Sequence, residues 1–130
     1  MSAAVLVLAL TILVEARGEP LRGKMAVATV LHNEKEAHPD KDWKTITTNP
    51  NRYSCWRDSE LMKAVGEEEA DEDSEWWDCV NLAQQLVHGD FKPLGPWTHY
   101  FNPDKADPFW GPMLKDQERI DHHLFGRLEE

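Results

Sequence analysis

Residues Ala3–Val14 form a run of 12 positions that is apolar except at Thr11, and the run ends on a carboxylate, Glu15. A membrane-spanning helix needs about 20 such residues, so this run is too short to cross a bilayer. It is also apolar nearly all round, and is expected to form a helix buried in a core. A secretory leader is the rival reading. The run has the length of one, but no basic segment precedes it, its first cation is Arg17, and it leads directly into Glu15-Ala16-Arg17-Gly18-Glu19. The rest of the 130 residues must supply what packs around the helix, and the length suits one domain over 1–130. With 41% hydrophobic and 29% charged residues, the chain falls in neither the disordered nor the membrane class. Its net charge of −10 would repel a phosphate backbone and argues against nucleic-acid partners.

Gly18 and Pro20 close the first helix, and Pro20 suits the first position of a second. From Leu21 to about Asn33, Ala26, Val27, Val30 and Leu31 recur at helical spacing. Glu34–Lys44 reads as a loop around His38-Pro39-Asp40, Trp43–Thr48 as a short strand or turn, Asn49-Pro50-Asn51 as a loop and Asp58–Val65 as a short helix. An acidic run follows, Glu67, Glu68, Glu69, Asp71, Glu72, Asp73 and Glu75, ahead of a helix whose Trp76, Val80, Ala83 and Val87 share a face. Gly89 and Pro93 end that helix. Gly95–Pro112 is an aromatic loop region, with strands expected at Thr98–Phe101 and Leu124–Leu128. The pattern describes a mainly helical α+β chain with a small sheet.

Glu15 carries the most chemical information. Burial would raise its pKa and keep it protonated near neutrality, as a general acid requires, although an exposed helix-end glutamate is equally compatible with the sequence. Glu19 suits a helix N-terminus or support of Glu15. His32, His38, His88, His99, His122 and His123 show no zinc-hydrolase spacing. The Asp121-His122-His123 cluster offers half of a metal site, but adjacent histidines on a strand would point to opposite faces and not chelate one ion, so a structural or substrate-binding histidine is favoured and no metal site and no cofactor is expected. Cys55 and Cys79 lack metal or redox spacing and read as buried thiols. The acidic run reads as a solvated cap, since it lacks the spacing and glycine of an EF-hand; calcium binding is the alternative. Trp56, Trp97, Tyr100 and Trp110 are candidates for stacking on sugar rings.

The box Glu15-Ala16-Arg17-Gly18-Glu19-Pro20, with Gly23 and Ala26-Val27-Ala28, resembles the cell wall hydrolase family of the spore cortex-lytic enzyme type, which has single-domain members among bacteriophage lysins. The resemblance continues through Asn33, Tyr53-Ser54-Cys55-Trp56, Ala83–Gly89, Thr98-His99-Tyr100, Asn102-Pro103, Trp110, and His123 with Phe125. It implies a lysozyme-like or lytic-transglycosylase-like α+β domain that cleaves the glycan strand of peptidoglycan, with no separate wall-binding domain. It further implies Glu15 as the catalytic acid, and Glu19, Tyr53, Ser54, Trp56, Thr98, His99, Tyr100, Asn102 and His123 as residues that bind substrate or support the acid. The expected reaction is lytic transglycosylation; hydrolytic muramidase and amidase activities, or a wall-binding protein that keeps the fold, are the alternatives. A monomer acting on the bacterial wall is expected, with a holin-dependent or other route of export.

Overall fold

The computed structural model describes residues 1–48 and 74–129. The expected loop at Asn49–Asn51, the helix at Asp58–Val65, most of the acidic run, and Tyr53, Ser54, Cys55 and Trp56 lie outside the described residues.

Helix α1 spans Ala3–Glu15, and the Ser2 hydroxyl caps it by accepting from the Val5 N–H. Leu8, Ala9 and Ile12 are fully buried, as a helix apolar nearly all round requires. Thr11 is tolerated among them because its Oγ1 donates to the Val7 carbonyl at 2.7 Å. The helix stops at Ala16, and Gly18 takes a φ of 77°, left-handed backbone that glycine adopts without strain. Helix α2 then runs over Leu21–Ala37, with Pro20 flanking it as the cap residue rather than serving as its first turn. Ala26, Val27, Val30 and Leu31 are buried as the spacing predicts. The helix continues past Asn33 because Glu34, Lys35, Glu36 and Ala37 are strong helix formers, and it ends before His38-Pro39, where the proline restricts the preceding residue.

The strand or turn expected at Trp43–Thr48 is a short helix, α3, over Trp43–Thr47. The Asp42 carboxylate accepts from the Thr45 N–H at 2.8 Å, and Ile46 and Thr47 are buried, so cap and burial outweigh the reluctance of β-branched residues to be helical. Helix α4, Ser74–His88, buries Trp76, Cys79, Val80, Leu82, Ala83 and Leu86. Helix α1 packs against all three of the others.

Three antiparallel strands complete the fold: β1 His99–Phe101, β2 Lys115–Ile120 and β3 His123–Arg127, in the order β1-β3-β2. Tyr100 pairs with Phe125, and Ile120 with His123 across the hairpin. Strand β2 has no counterpart in the sequence reading, because Lys115-Asp116-Gln117-Glu118-Arg119 is exposed throughout and shows no alternation; it is an edge strand, and its charge discourages pairing with other chains. Phe125 on the central strand is fully buried and joins the hydrophobic core of the described residues, together with Trp97 and Ile120. Trp97, a candidate for sugar stacking, is a core residue whose Nε1 donates to the Asp116 carbonyl at 3.1 Å. No described helix is long and apolar enough to cross a membrane.

Candidate functional site

Glu15 is the last residue of α1, and burial pushes its carboxyl above the ordinary glutamate value. The Tyr100 hydroxyl donates to Glu15 Oε1 at 2.8 Å, which favours the carboxylate and partly offsets burial. The side chain of Tyr100 faces the helices because strand residues alternate: His99 and Phe101 project to the other face, where Trp110 packs on both rings at 5.0 and 5.6 Å. Three other candidates on this segment hold the sheet. Thr98 Oγ1 lies 2.8 Å from His99 Nδ1 and accepts from the Leu128 N–H, while Asn102 Oδ1 accepts from the Asp104 N–H in a turn. Trp110 and His99 are thus on the face of β1 opposite the one that meets Glu15.

The turn from Glu15 to Pro20 is fastened from below. Lys24, only 3% exposed, contacts the Glu19 carbonyl through Nζ and pairs with Glu75 Oε1 at 2.9 Å. The same Glu75 oxygen accepts from the Gly18 N–H at 2.9 Å. A buried ammonium is costly unless paired, and here the pairing joins α2, α4 and the turn. Neither Lys24 nor Glu75 stands out as a site residue in the sequence. The available signal was a lone cation beside the apolar stripe of α2. From α2, Asn33 Nδ2 also donates to the carbonyls of Gly95 and Trp97, fixing the approach to β1.

Glu19 does not cap α2 with its side chain. Its carboxyl is almost wholly buried, with Oε1 lying 3.0 Å from His123 Nδ1 and 3.4 Å from His122 Nδ1. Burial first, then the neighbouring Asp121, raises its pKa, and His122 acts in the opposite direction. His123 is held below the ordinary histidine value by burial and then by His122. The two histidines therefore do not diverge. Strand β3 begins at His123, and Asp121-His122 is the two-residue loop of the hairpin, with Asp121 at a φ of 52°, so strand alternation does not apply to His122. The His123 ring meets Tyr100 edge to face at 5.5 Å. Glu15, Tyr100, His123 and Glu19 accordingly form one continuous chain of contacts where the helices meet the sheet.

A cleft of about 560 Å³ lies elsewhere, between the start of α1, Lys35 and α3, and none of these four residues lines it.

A carboxyl at a helix end whose pKa burial raises, facing a tyrosine on a small sheet, is an arrangement suited to acid catalysis. The chain belongs to the cell wall hydrolase family, which matches residues 18–126. That span contains Glu19, Tyr100 and His123 and begins three residues after Glu15. No curated protein matches the chain. Among solved structures, the catalytic domain of the germination-specific lytic transglycosylase SleB from Bacillus anthracis is similar over 98% of this chain and 97% of its own, with a TM-score of 0.70 and 23% identity. The catalytic domain of the Bacillus cereus SleB protein is similar over 95% of this chain and 89% of its own, with a TM-score of 0.59 and 24% identity. These likenesses establish a shared fold, mainly helical with a small sheet, in agreement with the expected class.

Proposed function

We propose that the protein cleaves the glycan strand of peptidoglycan between N-acetylmuramic acid and N-acetylglucosamine by lytic transglycosylation, with Glu15 as the single catalytic acid and base. The observation that carries this reading is the partly buried Glu15 carboxyl, raised in pKa and oriented by Tyr100. The carboxyl proton passes to the glycosidic oxygen as the bond from C1 to that oxygen breaks. The Glu15 carboxylate then takes the proton of the muramyl C6 hydroxyl while the C6 oxygen bonds to C1, which closes a 1,6-anhydro ring and restores the acid. No water is consumed. Because the nucleophile is internal to the sugar, one carboxylate suffices, whereas an ordinary glycoside hydrolase needs a second at about 5–9 Å. Glu19, a second carboxylate in the same turn, is contacted by two imidazoles, which favours a supporting role. The same nomination of the cell wall as substrate comes from the family and from the lytic transglycosylase named among its structural neighbours.

Digestion of purified sacculi followed by mass spectrometry tests bond and mechanism together. Anhydromuramyl ends are expected, and Glu15→Gln is expected to lower the rate by at least about 100-fold while the fold is kept. Reducing muramyl ends would replace the transglycosylase by a muramidase, and released stem peptides would indicate an amidase. Unchanged lysis by Glu15→Gln would remove Glu15 from the mechanism, and wall binding without any cleavage by the native protein would leave a binding protein.

A further inference from the structure

Glu19, Asp121 and His122 each offer a ligand atom, and these atoms lie within 4.8 Å of one another. Three features set the cluster apart from an ordinary group of surface charges. First, the Glu19 carboxyl is only 4% exposed, and its Oε2 is buried with no hydrogen-bond partner, an acceptor stripped of water without replacement. Second, His122 Nδ1 stands 3.4 Å from Glu19 Oε1 and 3.3 Å from Asp121 Oδ2. Both separations are long for charge-assisted hydrogen bonds, which run at about 2.7–2.9 Å. These two separations are those of neighbouring ligands on a tetrahedral ion, since bonds of about 2.1 Å at the tetrahedral angle place donor atoms about 3.4 Å apart, and the third pair, Glu19 and Asp121, lies within 4.8 Å. Third, His123 Nδ1 stands 3.0 Å from Glu19 Oε1, so a second imidazole contacts the carboxylate, as outer partners commonly do at metal-binding carboxylates.

We propose that Glu19, Asp121 and His122 form a binding site for one divalent transition-metal cation of the zinc type. Two carboxylate oxygens and one imidazole nitrogen are a borderline donor set, which selects such an ion over calcium or magnesium, whose sites are built from oxygen alone. A fourth position, on the side of the exposed Asp121 and His122, is left for water. Glu19 sits in the turn between α1 and α2, and Asp121 and His122 form the hairpin loop between β2 and β3, so the ion joins the helical layer to the sheet. The site shares Glu19 with the contact chain that supports Glu15, whereas Asp121 and His122 lie outside that chain, and nothing in it requires Glu15 to be catalytic.

The test titrates the metal-free full chain with Zn²⁺ by calorimetry and with Co²⁺ by visible absorption, and follows Tm with and without Zn²⁺. One equivalent is expected to bind, with Co²⁺ bands typical of mixed nitrogen and oxygen ligation and a Tm raised by the ion. Asp121→Asn and His122→Gln are expected to weaken binding at least about tenfold. Both side chains are substantially exposed, and asparagine accepts the positive φ at 121, so these variants keep the fold. Glu15→Gln is expected to bind Zn²⁺ as the native chain does, which separates this inference from the catalytic one. Absence of saturable binding, binding unchanged in both variants, or displacement of the ion by equal concentrations of Ca²⁺ or Mg²⁺ would overturn it.

Discussion

Tyr100 and Glu15 stand 85 residues apart in sequence and form the contact that sets the acid. Burial raises the Glu15 pKa and the phenol lowers it, so removing the phenol hydroxyl leaves burial unopposed. In the proposed reaction the protonated carboxyl is the active form, and activity is lost as pH rises through its pKa. Tyr100→Phe is therefore expected to move the basic limb of the kcat/KM profile to higher pH. A limb that stayed in place or moved down would remove Tyr100 from control of Glu15. The residues themselves were legible: Glu15, Glu19, Tyr100 and His123 are all named by the sequence. Their partnerships were not, because the contact between Glu15 and Tyr100 and that between Glu19 and His123 are tertiary, and no spacing announces them. The tie of Lys24 to Glu75 is hidden for the same reason, and Trp97, a core residue, reads as a stacking one because a tryptophan suited to stacking on sugar looks the same in sequence as one that fills a core.

At the level of elements, the close approach of α2 to the preceding turn depends on Gly23. A methyl group at this position would stand 2.9 Å from Glu19 Cβ, inside ordinary contact. Glycine to alanine in a helix interior gains about 0.8–1 kcal/mol, and overpacking costs about 1–3 kcal/mol, so the net effect on stability of Gly23→Ala is small. Its effect on the site is not. Glu19 must shift, together with the turn that carries Glu15, and a displacement approaching 1 Å can cost about 100-fold in rate. The expected outcome is a Tm within a few degrees of the native value with glycan cleavage reduced about tenfold or more; native activity in this variant would show that the turn tolerates movement. The elements were read best where hydrophobic periodicity is strong, as in α1, the first part of α2, α4 and β3. The reading failed at α3, where a capping aspartate and tertiary burial decide the conformation, and at β2, an edge strand whose exposed residues carry no pattern.

Across the whole molecule, Phe125 of the central strand is fully buried in the core shared with the helices, and its ring packs on those of Trp97 and Tyr100 at 5.4 and 5.2 Å. Phe125→Ala is expected to cost about 3–5 kcal/mol, read as a lower midpoint in denaturant melts, with the tyrosine that faces Glu15 loosened at the same time. A midpoint near that of the native protein would place the docking energy elsewhere. The partition of the molecule into helices first and sheet last also has a meaning in time. A growing chain folds from its N-terminus, so α1 and α2 emerge well before Tyr100, and until the hairpin docks Glu15 is only a glutamate at the end of an open helix. In the proposed reaction a copy whose sheet has not yet formed is then inactive, because the acid meets its tyrosine only once β1 and β3 have been made and docked.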